Sequence, residues 1–212
     1  MKRIDGMKWF LMASGAALLC SCYGVAYDTK VVVPEKGTTK IAVATVDERP
    51  HVLNHRNPPS YVGIMRGGFG NPFDRHTDDG KSLADEFDQS MVDSLVDSGF
   101  AAVGVSTPPA SDANEAMAQL KQSGAARLVL LELREWQSDT YINPTMNLDY
   151  TFHVYDASGK ELAAITVHKD QDLKGGSFFN PVGKSDDLVV AFYQDSIQSW
   201  FSDPKVEAAL QN

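Results

Sequence analysis

Sulfur is scarce in this chain of 212 residues: there are two cysteines, Cys20 and Cys22, both near the start. That count excludes a disulfide-stapled scaffold and a zinc–thiolate cluster, which need more thiols at ligand spacing. Basic residues are the minority charge, 19 against 28 acidic, for a net charge of −9. Sequence-general nucleic-acid binding needs a basic face, so this balance speaks against it. Glycine follows no period, which rules out a collagen-like repeat. No segment holds 18 consecutive apolar residues, so a permanent transmembrane helix is not expected. The phosphate-cradling glycine loops and the Gly-x-Ser-x-Gly elbow are absent too. What the chain does have is ordinary globular composition, 43% apolar and 9% aromatic, enough to build a core.

The first residues read as an address. Lys2, Arg3 and Lys8 precede the short apolar run of residues 9–19, the pattern of a secretory signal. Leu19-Cys20-Ser21-Cys22 then resembles the bacterial lipobox, with Leu19 three residues before Cys22 and small Ser21 directly before it. The resemblance implies that the Cys22 thiol receives a diacylglyceryl group, that cleavage leaves Cys22 first, and that its amine is acylated. Multiple acyl chains make a stable anchor where one is marginal. The remaining chain loses three basic residues and one acid, leaving −11 and no free thiol. Tyr23 stands where an Asp commonly holds enterobacterial lipoproteins in the inner membrane, so the expected location is the outer membrane, facing the periplasm. An ordinary secreted protein cut near the same place is the alternative.

After residues 1–21 as signal and 22–37 as tether, residues 38–212 read as one α/β (α+β) domain. A β-branched strand is expected at 41–46. Residues 48–80 are rich in Pro, Gly and Asn and read as a long loop, with a short strand at 61–65. Ser82 opens a helix whose Leu83, Phe87, Met91 and Leu95 recur every four residues, and Gly99 stops it. A strand follows at 100–105, a short helix from Asp112, and an apolar strand at 128–133. Residues 146–154 alternate strictly, turn at 156–159 and return at 162–168, which makes a half-buried hairpin. Asp186 caps a closing helix. The order β-α-β-α-β-β-β-α predicts a mixed sheet of about five to six strands with two to three packed helices.

Several of these features resemble the YajG-like family of bacterial outer-membrane lipoproteins. They are strand 41–46 running into Asp47-Glu48-Arg49, the helix end Ser98-Gly99-Phe100, strand 128–133 and the closing Ser199-Trp200-Phe201-Ser202-Asp203. The match spans roughly residues 38–210. It implies a tethered periplasmic α/β domain and no known activity, and the longer loop at 50–80 departs from it.

No catalytic residue, cofactor or metal site is expected. His51 and His55 are four apart, but Pro50 and Pro58 oppose a helix there, so with His76 they read as loop histidines rather than ligands. His153 and His168 sit on opposite hairpin arms, too far apart to share an ion. Scattered acids fail the EF-hand spacing. Tyr61, Arg66, Phe69 and Phe73 supply the aromatic and Arg residues that interfaces favour, so the long loop is a candidate partner-docking site. Arg49 joins that list, although at a strand end it more simply pairs with an acid such as Asp47. The expected function is therefore non-enzymatic: a membrane-anchored binding or structural role with an envelope protein partner. The alternatives are an auxiliary subunit of an envelope transport or assembly complex, and an envelope enzyme with an unrecognised site.

Overall fold

Strand β2 (Lys40–Asp47) forms where β-branched and small apolar residues predicted it, and only its two ends reach the surface. In the computed structural model, which describes residues 24–107, 111–177 and 181–211, it belongs to an eight-stranded mixed sheet. The signal segment and Cys22 lie outside the described residues. The other strands are β1 (Gly24–Val25), β3 (Tyr61–Arg66), β4 (Pro72–Thr77), β5 (Ala101–Gly104), β6 (Arg127–Thr140), β7 (Pro144–Asp156) and β8 (Glu161–Asp172). The helices are α1 (Pro50–Leu53), α2 (Leu83–Asp97), α3 (Ala113–Gln122), α4 (Pro181–Phe201) and α5 (Pro204–Gln211). The mixed α/β class is as expected. β3 is the short strand expected at 61–65, and the described residues add β1, β4 and α1.

The long strand β6 organises the sheet. One of its edges is shared by two partners: β2 lies parallel to its first half, from Ile41 opposite Arg127 to Asp47 opposite Leu133. β3 lies parallel to its end, from Gly63 opposite Ser138 to Met65 opposite Thr140. The other edge pairs antiparallel with β7 along its whole length, and β7 pairs with β8. Residues 48–80 are therefore not a loop. They hold α1 and a hairpin that continues the sheet where β2 leaves it.

Alternation decides the two faces. Val129, Leu131, Leu133 and Trp136 of β6, with Leu148, Tyr150 and Phe152 of β7, meet the four-spaced stripe of α2 and the aromatics Tyr193, Trp200 and Phe201 of α4. Here Phe152 stacks on Trp200 at 5.2 Å between centroids, and the Trp200 Nε1–H donates to the Tyr150 hydroxyl at 3.2 Å. On the other face Ala42, Ala44, Leu128 and Leu130 receive Ala116 and Leu120 of α3, small side chains letting the helix sit close. Beyond α3 this second face carries polar groups.

Residues 24–37 correct the tether reading. Tyr27 and Val33 are buried in the main core, and Tyr27 packs edge-on against Tyr193 at 4.7 Å. Val31 N–H donates to Ser94 Oγ, and the Gln198 amide both accepts from Val32 N–H and donates to its carbonyl. The segment opens in β1 and is then strapped across α2 and α4, where these side chains take the place of a strand ladder.

Helix α2 also carries a buried acid. Desolvation, with Asp79 close by, pushes the Glu86 carboxyl up from 4.5 to about 7. A carboxyl whose folded pKa is raised binds more protons in the native state, so stability falls as pH rises from 4.5 through about 7. Urea unfolding across that window should show this decline in the wild type. Glu86→Gln should make it shallower, the remainder coming from Asp88, Glu48 and Glu135, which burial also pushes up, and should be more stable by roughly 1–2 kcal/mol above neutral pH. An unchanged slope in the variant would assign the dependence elsewhere.

Candidate functional site

The alternation of β6 breaks once. Leu133 pairs with Tyr150 and Glu135 with Asp149, leaving Arg134 as an extra residue in a β-bulge. A bulge re-aims side chains, and here it puts the charged pair Arg134 and Glu135 between inward-facing Leu133 and Trp136. Both line the open face of the sheet. Arg134 is held there by three acceptors: Asp149 Oδ1 at 2.7 Å, Glu132 Oε2 at 3.0 Å and Thr151 Oγ1 at 2.6 Å. His168 on β8 lies opposite Asp149 and its Nδ1 is 2.9 Å from Asp149 Oδ2.

These residues floor a groove of about 830 Å³. Its walls are Glu48, Pro50 and Leu53 after the C-terminal end of β2, and Ser111 and Asp112 at the start of α3. Ligands of α/β sheets bind in such crevices at the carboxyl ends of parallel strands. Asp112 Oδ1 already caps α3 by accepting from Glu115 N–H at 2.9 Å. Carboxylates outnumber cations: Glu48, Asp112, Glu135, Asp149 and Asp170 against Arg134 and Lys169. Burial pushes the Glu48 and Glu135 carboxyls up, with Glu132 adding to the first and the Arg49 charge opposing the second. Asp149 is the contrast. Burial pushes it up, but the hydrogen bonds of Arg134 and His168 outweigh that and hold it below the usual carboxylate range. Glu135 Oε1 is buried with no hydrogen-bond partner among the described residues. Chemically, the groove suits a ligand that brings N–H or cationic donors to its unpaired carboxyls.

The sequence-derived candidates fall elsewhere, and they divide. Arg49 is fully buried, with Nε and Nη2 on the two Asp47 oxygens and Nη1 on the Tyr61 carbonyl at 2.6 Å. Its hydrogen bonds all go to Asp47 and to the carbonyls of Pro59, Tyr61 and Trp136, so it leaves the docking list and takes the strand-end pairing role. Tyr61 is buried too, its ring edge-on to His51 at 5.1 Å and to His76 at 6.1 Å. Arg66 is half-buried and paired with Asp139, its Nε 2.7 Å from Oδ1. Phe69 and Phe73 stay exposed at the hairpin tip. Cys22 lies outside the described residues. Among the described residues no group of three His, Cys or acidic side chains is placed to hold a metal, and no helix is long and apolar enough to cross a membrane. His153 pairs with Ala164 and His168 with Asp149, as the hairpin register predicted.

No family model and no curated protein matches the chain. Among solved structures, a Xanthomonas campestris protein described by the family model DUF330 is similar with a TM-score of 0.50 at 12% identity, over 87% of this chain and 97% of that one. At this identity the likeness shows a shared fold alone. A lipoprotein from Neisseria meningitidis is similar at 12% identity with a TM-score of 0.38, over 75% of this chain and 99% of that one. The PelC dodecamer from Paraburkholderia phytofirmans is similar at 16% identity with a TM-score of 0.38, over 78% and 94%.

Proposed function

We propose that this chain is a lipid-anchored outer-membrane lipoprotein whose periplasmic domain holds a protein partner in the groove over β6–β8, without turnover. The observation that carries the anchor is Leu19-Cys20-Ser21-Cys22 behind a basic and then apolar leader. The YajG-like resemblance of the strand, helix-end and closing motifs belongs with the same reading. Binding rather than catalysis is favoured because Arg134 and His168 are already committed to Asp149, an arrangement that presents a fixed charge pattern.

Intact mass and membrane fractionation of the wild type and Cys22→Ala test the anchor. The expected result is an acylated N-terminus at Cys22 in the membrane fraction, lost in the variant; a plain secreted mass in both would overturn it. A photo-crosslinking residue at Leu53, on the groove wall and exposed, should capture a discrete partner that the same residue at exposed Leu162 does not. Equal capture at both positions would remove the groove from the proposal.

A further inference from the structure

The three aromatic side chains among the exposed large hydrophobic residues described, Phe69, Phe73 and Tyr141, gather at one pole. The β3–β4 hairpin brings the first two. Because β3 runs parallel to the end of β6, Met65 lies opposite Thr140 and Tyr141 follows directly. The tip itself stands free: a side chain added at Gly68 or Gly70 would meet nothing within 4 Å. Phe69 is exposed at 103%, as open as a residue in an extended peptide. Exposed apolar patches of this kind mark a surface that something covers.

Strand direction says what. β1 is parallel to β4, with Gly24 opposite His76 and Val25 opposite Thr77, so the N-terminal end of β1 faces the Pro72 end of β4. The chain therefore enters the described fold from the side of the hairpin tip. Two trans peptide links separate Cys22 from Gly24, which holds Cys22 within about 8 Å of β1 whatever path it takes. The four residues from His76 back to Pro72 carry the hairpin about 13 Å past Gly24 along the strand, before the tip residues are added. The hairpin thus projects further than the acylated cysteine can reach. With residues 24–37 packed on the domain, no slack remains to hold the domain off the bilayer.

We propose that the β3–β4 tip is a membrane-seating surface, entering the interfacial layer of the bilayer that holds the Cys22 lipid, with Phe69 its deepest side chain. This rests on the lipoprotein reading above. Charge agrees with a lipid occupant: residues 49–73 contain no Asp or Glu in an otherwise acidic chain, so the tip is the part least repelled by anionic headgroups. Exposed Lys174 flanks the same pole, while Lys184 there is paired with Asp187; Gly176 N–H ties the Lys174 loop to Asn143, and Val182 of α4 meets Met65 and Phe73 around a small cavity. Aromatic rings seat at the headgroup level, where one side is apolar and the other wet.

The test uses the full chain purified from membranes and reconstituted into phosphatidylethanolamine–phosphatidylglycerol vesicles with brominated acyl chains. Trp136 and Trp200 are buried, so they report little of the lipid. Phe69→Trp should add an emission component that brominated lipid quenches, while Leu162→Trp, beside the β7–β8 turn at the opposite pole, should add one that it does not. Quenching at neither position, or equally at both, would overturn the seating surface. A blue-shifted but unquenched Phe69→Trp emission would mean that protein, a second copy or a partner, covers the tip, and would overturn it as well. Acylation of Cys22, read by mass on the same samples, separates the two readings. An acylated but unquenched protein loses only the seating surface, and an unacylated one loses both.

Discussion

Arg49→Met should destabilise the domain by about 3–5 kcal/mol, the range for removing one partner of a buried ion pair. For a domain of this size that lowers Tm by roughly 10 °C. The size follows from where Arg49 sits. β2 leaves β6 after Asp47, opposite Leu133, and β3 joins only at Gly63, opposite Ser138. Between them the sheet edge has carbonyls with no strand to pair with. The guanidinium fills that gap: Nη1 reaches the Trp136 carbonyl of β6 at 3.5 Å, and the same fork ties the two flanking segments together through the Tyr61 carbonyl at 2.6 Å, the Pro59 carbonyl at 2.9 Å and both oxygens of Asp47 at 2.8 and 2.7 Å. Methionine replaces the volume and none of the donors, so the Asp47 charge and the carbonyls lose their partners together. Arg49→Lys supplies one compact ammonium in place of a planar fork and should recover less than half of the loss. Thermal unfolding followed by circular dichroism decides it; a Tm within about 2 °C of wild type would mean the splice holds without its plug.

Gly63→Ala should be nearly as damaging and far more local. Gly63 has φ +143, a conformation that L side chains rarely adopt, and a Cβ there would come within 2.1 Å of the Ser138 carbonyl oxygen. That oxygen is backbone in the middle of the ladder and cannot swing aside. Strain plus overpacking should cost about 3 kcal/mol. Most of it should appear as loss of the β3–β6 pairing, because β6 keeps β2 and β7 on its other contacts. Amide exchange should therefore lose protection across residues 61–77 while the β6–β7 ladder stays protected. Uniform loss across the sheet would show instead that the hairpin and the remaining strands unfold as one unit.

The same two positions show what sequence pattern could and could not reveal. The four-residue stripe of α2, its Ser82 cap and the strict alternation of 146–154 are local signals, and each produced the expected element. The β3–β4 hairpin hides its period: β3 is interrupted by Gly63, and β4 begins with Pro72 and mixes Asp74, Arg75 and His76 into six residues. Its membership in the sheet comes from Ser138 and Thr140, more than 70 residues away, which no local window contains. The strap does alternate, with Val25, Tyr27, Thr29 and Val33 buried and Ala26, Asp28, Lys30 and Val32 exposed, but past Val25 it runs over helices and has no strand ladder. The groove did leave a mark. Arg134-Glu135 between Leu133 and Trp136 is one polar residue too many for a regular strand, and that excess is the signature of the bulge. The hairpin histidines drew attention as ligands, while the partner that matters for His168, Asp149, lies directly across the register.

The shared edge of β6 also sets an order of assembly. β7 and β8 follow β6 by short turns, so that three-stranded meander can close through neighbouring contacts and form early. β2 and β3 are made first during synthesis and can pair with β5 and β4, but the two pairs have nothing to join them until residues 127–140 exist, and such long-range parallel pairing is slow. For all that time the edges of β2 and β3 that later meet β6 are unpaired, the kind of surface on which chains aggregate or recruit holdases. A ribosome that stalls before Arg127 would release a chain with helices and two separate strand groups, β2–β5 and β1–β4–β3, and no strand to join them. The meander is thus the template, and the N-terminal half is its late-arriving guest.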